Sequence, residues 1–167
     1  MAHPNVGFIV VLALAAALFA GALSMLVFPI QPQLTTGSGS VSGKTPTVSI
    51  ILYAGEISSS KYGFGTSPNN ITSPGPTLRF KTSDVVNLTI VNVGTLPHAF
   101  ALTTAPKTGA TTLFGATIAS GTYPLSPGQS GNVVFAPNSP SVEDYYICPV
   151  PGHAELGMYG SVIVSVG

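Results

Sequence analysis

Of the chain's fifteen prolines all but Pro4 follow Phe28, and that spacing limits more than any other feature what the polypeptide can fold into. A proline inside a helix removes an amide donor and drives its ring into the preceding turn, so a chain interrupted this often has little room for long helices. Between the prolines lie short stretches rich in β-branched and aromatic side chains. Residues 47–53, 76–80, 85–93, 99–103, 131–135, 144–148 and 160–166 form runs bounded by Gly, Pro, Ser or Asn, the pattern of strands ended by turns. In the third run Val86, Leu88 and Ile90 alternate with Asn87 and Thr89, the two-residue period of a strand with one buried face. These runs, with no clear helical period, predict an all-β protein, a β-sandwich or barrel. Two connections, 54–73 and 104–127, read as long loops, and loops of that length either cover a site or wander over the surface.

The first residues follow a different rule. Positions 6–30, 25 residues in all, contain no charged side chain. At about 1.5 Å per residue they are long enough to cross a hydrocarbon core of about 30 Å. This predicts an N-terminal transmembrane helix within residues 1–30. The rival is a cleaved signal peptide, for which Ala20-Gly21-Ala22 offers a site, but secretory apolar cores run to about 7–15 residues and this one stays apolar through Phe28. Residues 31–44, rich in Ser, Thr and Gly, read as a flexible linker, and 45–167 as a single domain. Lys44 is the first Lys or Arg of the chain, so loop charge does not orient the helix. The sequons Asn70-Ile71-Thr72 and Asn87-Leu88-Thr89 are compatible with an exported domain.

Charged residues make up 6% of the chain against about 25% in typical soluble proteins, and five Lys and Arg balance five Asp and Glu. No basic face is available to hold nucleic acid. A fold with so few ionised carboxylates has few native interactions to lose on acidification, which suits an acidic exterior. There is one cysteine, so an intrachain disulfide, a haem-attachment pair and a four-cysteine zinc site are all excluded.

That cysteine opens a loop of unusual composition. Cys148, His153 and Met158 are spaced so that a Pro/Gly-rich turn between two strands can converge them on one point, and His98, after the turn Gly94-Thr95-Leu96-Pro97, can reach the same end of a sandwich. Thiolate, two imidazoles and a thioether make the trigonal His₂Cys site with a weak axial Met that marks a copper electron-transfer centre. Taken singly, Cys or Met is more often core and His more often a surface or satisfied core residue. Yet apart from Met1, His3 and Met25, every Cys, His and Met of the chain falls on these four positions. Zinc has little use for a thioether. A binuclear copper centre needs a second cysteine, a multicopper oxidase needs more histidines, and a Cys-His nucleophilic pair leaves Met158 without a role.

The loop Cys148-Pro149-Val150-Pro151-Gly152-His153-Ala154-Glu155-Leu156-Gly157-Met158, with the upstream Leu96-Pro97-His98-Ala99-Phe100, resembles the cupredoxins, the type 1 blue copper family; sulfocyanin is nearest in pattern and rusticyanin next. The resemblance covers about residues 45–167. It implies a Greek-key β-sandwich with one copper ion held by His98, Cys148, His153 and Met158, and an extracytoplasmic head on a single-pass cell-membrane anchor. It further implies an electron carrier, not an enzyme, serving a respiratory chain with redox protein partners, a donor and a terminal oxidase. Ala99 departs from the pattern, since many cupredoxins place Asn or Ser there to tie the two ligand loops, so the tie here must come from other groups.

Two further expectations follow. His153 should be the exposed ligand through which electrons pass, inside an apolar collar of Leu96, Pro97, Pro149, Val150, Pro151, Ala154 and Leu156. With Met axial and apolar neighbours around the sulfur, the potential should be comparatively high. The competing reading from a different class is a copper-binding or copper-resistance protein with no carrier role, and a third is a redox module docked permanently on an oxidase.

Overall fold

The alternation seen in the sequence builds a two-sheet sandwich. The computed structural model describes residues 34–37, 41 and 43–167; the expected membrane anchor lies outside them. Eleven strands run in the order β1 Leu34–Gly37, β2 Val48–Ser58, β3 Lys61–Ser67, β4 Asn70–Thr72, β5 Leu78–Lys81, β6 Val86–Asn92, β7 Phe100–Thr103, β8 Thr112–Ile118, β9 Ser130–Phe135, β10 Ser141–Ile147 and β11 Tyr159–Ser165. No helix occurs among the described residues, so none of them crosses a membrane as a helix. One sheet has the order β1-β9-β6-β2-β3-β4 and the other β5-β11-β10-β7-β8, so the chain passes repeatedly from sheet to sheet.

Strand β6 sits centrally in the first sheet, parallel to β2 and antiparallel to β9. Its Val86, Leu88 and Ile90 point inward, and each is fully buried. Phe100 and Leu102 on β7, Tyr146 on β10, and Val162 and Val164 on β11 meet them from the second sheet in one core cluster. Each such large apolar side chain contributes on the order of 1.5–3 kcal/mol by leaving water. Tyr146 lies flat against Phe100 at 5.7 Å and edge-on to Phe64 at 5.2 Å, and its hydroxyl donates to the Pro76 carbonyl at 2.6 Å. The apolar ring is thereby buried without stranding its polar end.

Both stretches read as long loops contain strands. Residues 54–73 hold the end of β2, all of β3 and β4, and β3 alternates Tyr62 and Phe64 with Gly63 and Gly65. A side chain at either glycine would strike the backbone of β4, at Thr72 or Asn70, so the strand carries the residue that strand patterns disfavour. Residues 104–127 hold β8, where Phe114 and Gly115 adopt left-handed backbone, φ 55° and 64°, and break the alternation. The register with β7 shifts at that point. Four residues of the stretch read as a linker, Leu34–Gly37, form an edge strand parallel to β9.

Candidate metal centre

Strand β10 ends at Ile147 and delivers Cys148 to the end of the sandwich, and β11 leaves again from Tyr159. Between them the loop is wound on its own backbone. The amide of Cys148 donates to the Met158 carbonyl at 3.0 Å, that of Met158 to His153 at 2.9 Å, and that of His153 to Val150 at 3.0 Å. Gly157 takes φ +93°, a conformation in which a β-carbon would also meet Ser73 Oγ, and Ser73 in turn donates to the Gly157 carbonyl at 2.9 Å.

His98 arrives on a separate turn, held by side chains. The amide group of Asn92, fully buried, donates to the carbonyls of Leu96 at 2.8 Å and Leu125 at 2.9 Å, while its oxygen accepts from Gly94 N at 3.0 Å. Glu56, at the far end of β2, accepts from the amides of Thr95 at 2.9 Å and Leu96 at 2.8 Å, and His98 Nε2 lies 3.3 Å from its Oε1. His98 also exchanges two backbone bonds with Leu125. These ties fix the His98 turn to β2 and to the Leu125 segment. Ala99 itself contributes only its amide, which donates to Cys148 Sγ at 3.4 Å.

The two turns bring His98, Cys148 and His153 together, all buried, with their ligand atoms within 4.8 Å of one another. Cys148 Sγ is 3.5 Å from His153 Nδ1. Met158 is fully buried in the same core cluster as Cys148. Tyr62 of β3 stacks on the His153 ring at 4.3 Å between centroids and 25° between planes.

Burial governs the protonation of these groups. It pushes the Cys148 thiol up to about 11, against the amides of Ala99 and Val150, which pull it down. Burial lowers His98, helped by the neighbouring His153 and opposed by Glu56; it lowers His153 as well, again opposed by Glu56. Both shifts favour the neutral imidazole, the form that binds metal. Burial raises Glu56, but the amides of Thr95 and Leu96, its own amide and the His98 ring outweigh it and leave the carboxyl lowered.

The residues fit a copper ion. Among the described residues only two buried side-chain polar atoms lack a partner, and one of them is His98 Nδ1. An unpaired buried nitrogen costs about 1–3 kcal/mol, so this one is built for something other than hydrogen bonding. It lies beside a thiol that burial keeps protonated unless a cation is present, and beside a second neutral imidazole. Two nitrogens and a sulfur with a thioether at hand suit copper better than zinc.

As a sequence the chain matches no family model and no curated protein. As a structure it is similar to auracyanin B, with 22% identity, a TM-score of 0.55 and coverage of 78% of this chain and 96% of that one. A rusticyanin variant follows at 21% and 0.54, covering 76% and 86%. A multicopper oxidase aligns at 20% and 0.52, covering 71% of this chain and 39% of its own. The fold is cupredoxin-like. The chain spans about two fifths of the oxidase, and two of its three histidines lie in the cluster.

The environment of His153 differs from expectation. It is only 9% exposed, covered in part by Tyr62, and Ala154 is buried against Ala101 and Ile147 instead of joining a collar. Pro149 and Val150 are half-buried, which leaves Leu96, Pro97, Pro151 and Leu156 exposed. Tyr123 joins them, 81% exposed on the turn whose Gly121 packs against the Pro149 carbonyl. The connection 104–127 therefore lies against the ligand loops, with Thr108 also donating to Glu155 at 3.0 Å.

Glu56, Tyr62 and Asn92 were not legible as parts of the site. Glu56 and Tyr62 sit in a stretch whose glycines read as loop. One signal was available: Glu56 is one of only five acidic residues and ends an apolar run, Ile50 to Gly55.

Proposed function

We propose that this chain is a mononuclear type 1 blue copper protein that carries single electrons, with His98, Cys148, His153 and Met158 as ligands. The observation that carries the reading is the convergence of ligand atoms of three buried residues within 4.8 Å of one another, one of them His98, whose Nδ1 has no hydrogen-bond partner. Copper bound there supplies a one-electron Cu(I)/Cu(II) couple, since thiolate and thioether favour the reduced ion and imidazole serves both states.

The chain's own residues do the rest. Two turns braced by backbone bonds and by Asn92 and Glu56 hold the ligands before any metal arrives, so little has to move when charge changes. His153 is the ligand nearest solvent, at 9% exposure against none for the other three. The exposed rim of Leu96, Pro97, Tyr123, Pro151 and Leu156 suits brief docking of a redox protein, contacts that bury under about 1,200 Å² in total. Likeness to auracyanin and rusticyanin supports a carrier, although the oxidase shows that the fold also serves enzymes. The protein is further proposed to be anchored through residues 1–30 with its copper domain on the extracytoplasmic face, as a sulfocyanin-like carrier in a respiratory chain that delivers electrons to a terminal oxidase.

The test is the visible spectrum and voltammetry of copper-loaded protein beside Cys148→Ser. An intense thiolate-to-copper band and a reversible wave, both absent from the variant, are expected. A colourless, readily exchanged site would instead mark a copper-binding or copper-resistance protein.

A further inference from the structure

Both imidazoles are touched by one cross-strand pair on the opposite sheet. In the β2–β3 ladder Glu56 faces Tyr62, so their side chains leave the same face side by side. One reaches His98 and the other His153.

Glu56 is surrounded by donors. Two of its neighbours are backbone N–H groups, and the third is His98 Nε2. A carboxylate only accepts, so Nε2 carries the proton and donates, which leaves Nδ1 bare. That is the atom with no partner, and the other nitrogen is already engaged by Glu56, so Nδ1 is the one left to serve the cluster of which His98 is part. The reverse tautomer would set a lone pair against a carboxylate oxygen and a proton against the metal position. The seat for the carboxylate is made by Gly94, where a β-carbon would stand 2.5 Å from Oε2 and 2.8 Å from Oε1. Tyr62 works on ring orientation: its face covers one face of His153, and its centroid is 6.0 Å from that of His98.

We propose that Glu56 and Tyr62 are positioning residues for the metal centre, Glu56 fixing the His98 tautomer and Tyr62 the plane of His153. The inference rests on the copper reading above. The hairpin also explains how a site without a polar residue at position 99 is organised before metal binds, because partners that orient ligands sustain about 10–100-fold of metal affinity.

The experiment uses the full chain, apo and copper-loaded. In apo wild type, nitrogen-resolved NMR of the imidazoles should show His98 protonated at Nε2 alone. Glu56→Gln keeps the shape but can turn an NH₂ toward the ring, and Gly94→Ala displaces the carboxylate without removing it. In both, the NMR should report mixed His98 tautomers, and chelator competition should show copper affinity reduced by about 10–100-fold. The potential of Glu56→Gln should rise, because an anion beside the more highly charged oxidised site is gone. Tyr62→Leu should alter the shape of the visible band and Tyr62→Phe restore it. A blue wild type with Glu56→Gln unchanged in tautomer, affinity and potential would overturn the inference and reduce Glu56 to a loop tie. A wild type that takes no copper would overturn the reading beneath it.

Discussion

The two turns that meet at the candidate copper site are held in opposite ways. The Cys148 to Met158 loop is stabilised mainly by its own main chain, with bonds that close within ten residues, and is tied from outside at Gly157 by Ser73, at Glu155 by Thr108 and at Cys148 Sγ by the Ala99 amide. The His98 turn is stabilised by side chains from elsewhere, with Glu56 reaching across 42 positions and the Asn92 amide linking it to Leu125, 33 positions on. A loop closed locally is set by its own sequence; a turn tied at long range takes shape only once the sheets are in place. The contrast explains why three of the proposed ligands form one compact motif while the fourth depends on the whole sandwich.

The comparison can be broken most forcefully with metal. Copper ligated from both turns would staple them together, and at free copper a thousand times its dissociation constant it should raise unfolding free energy by about 4 kcal/mol. Denaturant melts should show that gain vanish equally in His98→Ala and Cys148→Ala; a gain that survives loss of His98 would mean that only one turn binds. Next in size is Asn92→Ala in the apo protein. It removes three hydrogen bonds, one of them fully buried, and should cost roughly 3 kcal/mol, read from the urea midpoint at constant slope. The corresponding attack on the other loop is Gly157→Ala, at φ +93° and against Ser73 Oγ, expected at about 2 kcal/mol in the same melts. Smallest is Ser73→Ala, which removes the one side-chain bond to Gly157 and should cost about 1 kcal/mol. Were Ser73→Ala to cost more than Asn92→Ala, the division between a self-held loop and an externally held turn would be wrong.

How much of this the sequence disclosed follows the same division. The sandwich was legible wherever side chains alternate, as on β6, where Val86, Leu88 and Ile90 are all buried. It was hidden where glycine takes one face, as on β3, and where left-handed residues interrupt the period, as at Phe114 on β8. Cys148, His153 and Met158 could be grouped because spacing within one loop is local information. His98 was reached by elimination among three histidines, and the structure places it within 4.8 Å of Cys148 and His153. Glu56 and Tyr62 could not be found in this way, since their pairing with each other and with the imidazoles is a product of sheet register, which no local pattern states. The near-burial of His153 escaped for the same reason, because the ring that covers it belongs to a strand read as loop.

The placement of β11 makes the site depend on chain that lies beyond its last proposed ligand. It follows the ligand loop in sequence, yet it is an interior strand, paired with β10 on one side and parallel to β5 on the other. Without that strand the second sheet is divided between β5 and the β10-β7-β8 group, and the core side chains Val162 and Val164 are missing from the cluster that contains Cys148. A chain that stopped after the four proposed ligands would therefore lack the strand that joins β5 to the rest of that sheet. A version ending at Met158 should carry every proposed ligand and remain colourless with copper.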